Sequence, residues 1–149
     1  MSVFNGVLVA TDGSEASQRA VETAAKMAAG EGGTLYILNV IRDMQFPAAL
    51  SRMAEVERLV GTRTDVLNYV AQKILNEAKK DAKRHGAKNV EVLTAAGDPA
   101  TQIVETARDK GVSVIVVGTR GLGGVAGALL GSVSRKVSNI AEQNVLIVR

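Results

Sequence analysis

The chain has 149 residues and a mass of 15.6 kDa, the size of one domain. It contains no cysteine, so disulfides, thiolate nucleophiles and thiolate metal sites are excluded. A hydrophobic fraction of 46% fits a globular core, while 3% aromatics and a net charge of +3 with interspersed signs give neither stacking rings nor a basic stripe for nucleic acid.

Val3 to Ala10 is short, β-branched and almost wholly apolar, and reads as a strand buried on both faces. Ser14 is placed to cap the next helix, in which Ala16, Ala20, Ala24, Met27 and Ala28 fall on one face. Gly30, Gly32 and Gly33 end it, and Thr34 to Ile41 reads as a second buried strand. Residues 42 to 61 are less regular. Pro47 breaks any helix there, Ser51 to Val60 allows a short one, and such an insertion is typically a functional flap or a partner surface.

From Thr64 to His85 the pattern is helical again, with an apolar stripe of Val66, Leu67, Val70, Ile74, Leu75, Ala78 and Ala82 and a stop at Gly86. Lys79, Lys80, Lys83, Arg84 and Lys88 share this stretch with Glu77 and Asp81 and read as a solvated helix end. Val90 to Ala95 is a third strand, marked as edge-like by Glu91. Asp98-Pro99 starts a helix whose inner face carries Ile103, Val104 and Ala107 and which Gly111 ends. Val112 to Val117 is apolar enough for a central strand. A helix from about Ser132 to Ala141 and a last strand from Asn144 to Val148 follow. Residues 1 to 6 carry no signal-peptide pattern and no stretch has the apolar length of a membrane span, so a cytoplasmic protein without a membrane partner is expected.

Five strands alternating with four helices imply parallel pairing, right-handed crossovers and a doubly wound, three-layer α/β domain over 1–149. Ligands of such sheets bind at the carboxyl ends of the strands, where the strand order reverses. Two segments there carry unusual chemistry, Ala10-Thr11-Asp12-Gly13 and Gly118-Thr119-Arg120-Gly121.

The second of these opens a stretch with six glycines in fourteen residues, from Gly118 to Gly131, between a strand and a helix. Glycine lets main-chain N–H groups approach an anion, and the helix start adds free donors and the positive dipole end. Ser132 and Ser134 add hydroxyls, and the whole suits a polyphosphate. The string Gly, four residues, Gly-Lys-Ser/Thr is absent. Gly121-Leu122-Gly123-Gly124-Val125-Ala126 matches a dinucleotide fingerprint in part, but no acidic ribose ligand stands at the end of the following strand. Gly123, Gly127 and Gly131 have the four-residue spacing of membrane helix pairs on a run too short to span. A crossover whose glycines only permit turns is the plain alternative.

These residues resemble the universal stress protein family in its ATP-binding branch, which carries Gly, two residues, Gly, nine residues, Gly-Ser/Thr. Gly118, Gly121, Gly131 and Ser132 fit that spacing without a gap. Val7 to Ser14 resembles the family's first strand and turn, Leu38-Asn39-Val40 its second-strand end, and Gly97-Asp98-Pro99 its third strand-to-helix turn. The resemblance implies an α/β/α sandwich with a five-stranded parallel sheet of order 3-2-1-4-5 and four helices, an adenine nucleotide alpha hydrolase-like arrangement. It implies that Val40 holds adenine through its main chain and that Ala10, Thr11 and Asp12 line the ribose and phosphate side. Gly118 and Gly121 would pass near ribose and phosphates, and Gly131, Ser132, Val133 and Ser134 would hold the β- and γ-phosphates of ATP. It also implies a homodimer through Val145–Val148. Where many members have Pro, His and Cys-Pro, this chain has Ala10, Asn39 and Gln143-Asn144.

Asp12 is the natural partner for Mg²⁺, with a turn residue as the alternative. Arg120 and Arg135 could meet phosphate or simply face solvent. His85, the sole histidine, sits at a charged helix end, and no triad or catalytic base can be assembled around it. Good phosphate donors beside poor catalytic equipment favour a nucleotide-dependent stress-response regulator with at most slow ATP hydrolysis. The alternatives are an ATPase or phosphotransferase using Asp12 and Mg²⁺, and a dimer module without nucleotide.

Overall fold

A computed structural model describes residues 5–42, 63–119 and 130–149. The elements among these are β1 (Val7–Ala10), α1 (Glu15–Glu31), β2 (Leu35–Ile41), α2 (Arg63–Arg84), β3 (Val90–Ala96), α3 (Pro99–Lys110), β4 (Val114–Gly118), α4 (Ser132–Ile140) and β5 (Asn144–Val148). The strands form one parallel sheet of order β3-β2-β1-β4-β5, as the resemblance implied.

Side chains alternate across each strand, so each strand feeds two cores. Val7, Val9, Leu35, Ile37, Val114 and Val116 face α1 and α2, together with Ala20, Ala24, Leu75 and Ala82. Leu8, Leu38, Ile115 and Val117 face α3 and α4, together with Ile103, Ala107 and Val137. This two-sided burial is why the central strands read as unbroken apolar runs rather than alternating ones. The alanines of α1 are the counterpart: small side chains let that helix lie close to the sheet.

The helix ends follow local chemistry. Ser14 caps α1, its Oγ accepting from the Ser17 N–H at 3.3 Å, and Gly32 ends it in the left-handed region at φ 72°. Asp98 caps α3 through the Thr101 N–H at 3.0 Å with Pro99 behind it, and Gly111 closes that helix at φ 66°.

Two strand boundaries differ from expectation by more than one residue. The first strand begins at Val7, because Gly6 turns the chain at φ 124°, where an added Cβ would lie 2.9 Å from the Thr34 carbonyl oxygen. Val3 and Phe4 lie outside the described residues. The fourth strand begins at Val114 rather than Val112, whose N–H reaches back to the Ala107 carbonyl at 3.2 Å to close α3. The edge-like third strand is indeed an edge, and the short helix expected over Ser51–Val60 lies outside the described residues.

Candidate functional site

The strand order reverses between β1 and β4, which pair side by side. The chain leaves β1 toward one face, into α1, and leaves β4 toward the other, into α4. A crevice between their carboxyl ends follows from this topology. Ala10, Thr11 and Asp12 lie at and just after the end of β1, Gly118 ends β4, and α4 starts at Ser132.

The β1–α1 turn is tightly bonded. Thr11 is buried, at 5% exposure, and all its polar groups are engaged. Its N–H donates to the Leu38 carbonyl at 2.9 Å, and its carbonyl accepts from the side-chain amide of Asn39 at 2.9 Å. Its hydroxyl lies 3.0 Å from Ser17 Oγ and accepts from the Gly13 N–H at 3.3 Å. Asp12 is half-buried, with Oδ1 accepting from the Ser14 N–H at 2.9 Å. Its carboxylate therefore steadies the turn that carries it, in keeping with the turn-residue alternative.

The wall after β4 is built around the Thr119 carbonyl. Thr119 donates its N–H to the Val148 carbonyl at 2.9 Å, and its own carbonyl accepts from the Gly131 N–H at 2.6 Å and from the Ser134 hydroxyl at 3.0 Å. The two ends of the glycine-rich segment are thereby clasped together. Gly131 is the N-cap of α4, at φ −72° and ψ 168°, and the Arg135 N–H donates to its carbonyl at 3.1 Å. The N-cap glycine has no side chain to cap this helix, and the N–H groups of Ser132, Val133 and Ser134 belong to its first turn, which has no intrahelical acceptor. An anion placed here would meet both those donors and the positive dipole end.

Three expected site residues also carry structural roles. Ser134 is 2% exposed, and its hydroxyl hydrogen is directed at the Thr119 and Gly131 carbonyls, so its side chain closes the loop while its main-chain N–H stays in the donor set. Val133 packs its side chain against the core under α3 and α4, leaving only its main chain for the crevice. Gly118 has a packing reason to be glycine: an added Cβ would lie 2.8, 2.9 and 3.0 Å from the carbonyl carbon, oxygen and Cβ of Ala16 in the first turn of α1. Ser132 is exposed and Val40 half-buried at the end of β2, whereas Gly121 and Arg120 lie outside the described residues.

Other polar groups stand apart. His85 is at the end of α2, its Nδ1 2.8 Å from the Asp81 carbonyl and its Nε2 3.4 Å from Glu22 of α1. Among the described residues no group of three or more His, Cys, Asp or Glu could hold a metal ion. Behind the β1–α1 turn, between α1 and α2, lies a cavity of about 250 Å³ that shares Thr11 and Gly13 with the turn. Asp98 is held down to about 2 from 3.8, first by the hydrogen bond from Lys136 of α4 at 2.9 Å and then by Thr101. That pair ties the glycine-rich wall's helix to the start of α3. The sequence reading missed Asn39 as a structural donor, although a lone amide inside an apolar strand was the visible signal.

The fold and crevice define a doubly wound α/β protein with an anion-receptive helix start at its switch point. Residues 4–149 match the universal stress protein family, and the chain belongs to it. It is 39% identical over 149 residues to universal stress protein YxiE of Bacillus subtilis, covering 99% of this chain and 100% of that one. Among solved structures, a universal stress protein in complex with cAMP is 34% identical, with a TM-score of 0.70 over 99% of this chain and 98% of that one. The Rv1636 protein of Mycobacterium tuberculosis is 35% identical, with a TM-score of 0.59 over 100% and 98%. UspA from Lactobacillus plantarum, at 23% identity, shares the fold with a TM-score of 0.80 over the whole of both chains.

Proposed function

We propose that this chain, as one domain, binds an adenine nucleotide in the β1–β4 crevice and acts as a nucleotide-dependent regulator in the cytoplasm. The observation that carries this reading is the start of α4: three successive main-chain N–H groups, an N-cap residue without a side chain, and the Gly131 N–H and Ser134 hydroxyl bonded to the Thr119 carbonyl. ATP is the ligand that the Gly118, Gly121, Gly131, Ser132 spacing favours. Its adenine would lie against the main chain of Val40, its ribose beside Ala10, Thr11 and Gly118, and its phosphate tail on Gly131 to Ser134.

Mg²⁺ fits this arrangement. The ion commonly takes one or two carboxylates and completes its shell with phosphates and water. Asp12 supplies one carboxylate at the carboxyl end of β1, already oriented by the Ser14 N–H. When bound, the ion would neutralise phosphate charge. Nothing in the residues described supplies a base to activate water, so ATP hydrolysis is slow at most and Asp12 serves binding. A turnover in the ordinary enzyme range, about 1 to 1000 per second, would overturn the regulator reading in favour of an ATPase or phosphotransferase.

A second reading is cAMP as the physiological ligand, favoured by the 34%-identical structure that carries it. A single cyclic phosphate needs fewer donors than a triphosphate and no Mg²⁺. Native mass spectrometry of gently purified protein tests both: a retained ATP mass supports the first reading and a retained cAMP mass the second. The outer edge of β5 supports a homodimer, because Val145 to Val148 form a half-buried apolar strand that, among the described residues, pairs with β4 alone. Sedimentation at a monomer mass across micromolar concentrations would remove that part.

A further inference from the structure

The main-chain ladder between β1 and β2 stops one rung early, and a side chain stands in the missing rung. The Thr11 N–H donates to the Leu38 carbonyl at 2.9 Å, so the main-chain groups of Leu38 face β1. Groups on every second residue of a strand face the same neighbour, so the N–H of Val40 also faces the β1 side, just beyond the end of β1. In a continued parallel ladder that N–H would donate to the Thr11 carbonyl. That carbonyl is bonded instead by Asn39 Nδ2 at 2.9 Å, from a side chain only 7% exposed.

We propose that Asn39 is a specificity-determining positioning residue: by capping the Thr11 carbonyl, its amide keeps β1 and β2 apart and reserves the Val40 main chain for the nucleotide base. This rests on the adenine-nucleotide reading above and extends it. Asn39 itself need not touch ligand, since its donor is engaged by Thr11.

The test joins amide hydrogen exchange with ligand titration on the full chain. In the ligand-free protein the Val40 amide exchanges much faster than that of Leu38, and ATP slows it. In Asn39→Ala the Thr11 carbonyl takes the Val40 N–H, so that amide becomes protected without ligand. ATP affinity then falls roughly three- to tenfold, the worth of one hydrogen bond. Affinity for inorganic triphosphate, which lacks a base, stays the same. A merely structural role for Asn39 would weaken both ligands together. A Val40 amide already as protected as Leu38 in the ligand-free wild type overturns the proposal, as does unchanged ATP affinity in the variant. If Asn39→Ala does not fold, the wild-type exchange rates still decide. If the wild type binds no nucleotide, the functional reading fails, while the ligand-free exchange data separately uphold or refute the interrupted ladder.

Discussion

Replacing Gly118 by Ala separates two reasons for a glycine at the mouth of the crevice. A Cβ there would lie 2.8 Å from the carbonyl carbon of Ala16, 2.9 Å from its oxygen and 3.0 Å from its Cβ, against ordinary contacts of 3.4 Å and above. Relief requires a displacement of about half an ångström, by the hard-sphere limits that govern close packing. Two of the three atoms are backbone, so no rotamer change provides it. The first turn of α1 must move, and overpacking of this kind costs about 1–3 kcal/mol. At 2–4 °C per kcal/mol for a chain of this size, Tm falls by roughly 2–12 °C. The same turn carries Ser17, whose Oγ is 3.0 Å from Thr11 Oγ1, so nucleotide affinity falls as well. Scanning calorimetry with and without ATP reads both effects. An unchanged Tm with lost affinity would refute the packing argument and leave ligand approach as the sole reason for Gly118. Adding Ala16→Gly removes only the 3.0 Å contact and does not restore Tm.

Gly131→Val is expected to act the other way, lowering nucleotide affinity at least tenfold with Tm nearly unchanged. Its φ of −72° carries no left-handed strain that only glycine relieves, and isothermal titration beside calorimetry checks both effects. Gly30→Ala, on the exposed side of α1 with open space around it, is expected to raise stability by about 0.5–1 kcal/mol, read by urea unfolding. Asp98 titrates at about 2 rather than 3.8, chiefly through Lys136. Because the folded value is the lower one, its contribution is complete above about pH 4 and is lost as pH falls toward 2. Both partners are half-exposed, which limits the pair to less than about 1 kcal/mol. In Lys136→Ala, NMR titration should show the Asp98 carboxyl rising toward its ordinary value.

Most of the fold was legible because its signals are local. Apolar runs marked β2 and β5 to within a residue, Ser14 and Asp98 gave two helix starts, and Gly32 and Gly111 two ends. Glu91 placed β3 at an edge because a charge on an inner strand would be buried. What could not be read depends on neighbours distant in sequence. Gly118 looks like part of a phosphate loop, yet its tightest constraint is Ala16, about a hundred positions away. Ser134 looks like a ligand donor until the Thr119 carbonyl is seen beside it. Asn39 reads as a departure from a family pattern, and its use emerges only when β2 is laid against β1. Side-chain hydrogen bonds across strands have no periodic signature, whereas burial does.

The most direct measurement is an NMR titration of the isotope-labelled chain with ATP, ADP, AMP, cAMP and GTP, each with and without Mg²⁺. The account predicts saturable shifts of the Ser132, Val133, Ser134 and Val40 amides with adenine nucleotides, strongest for ATP with Mg²⁺ and absent for GTP at equal concentration. Unshifted amides at the start of α4 under millimolar ATP, or shifts confined to the opposite edge of the sheet, would contradict it.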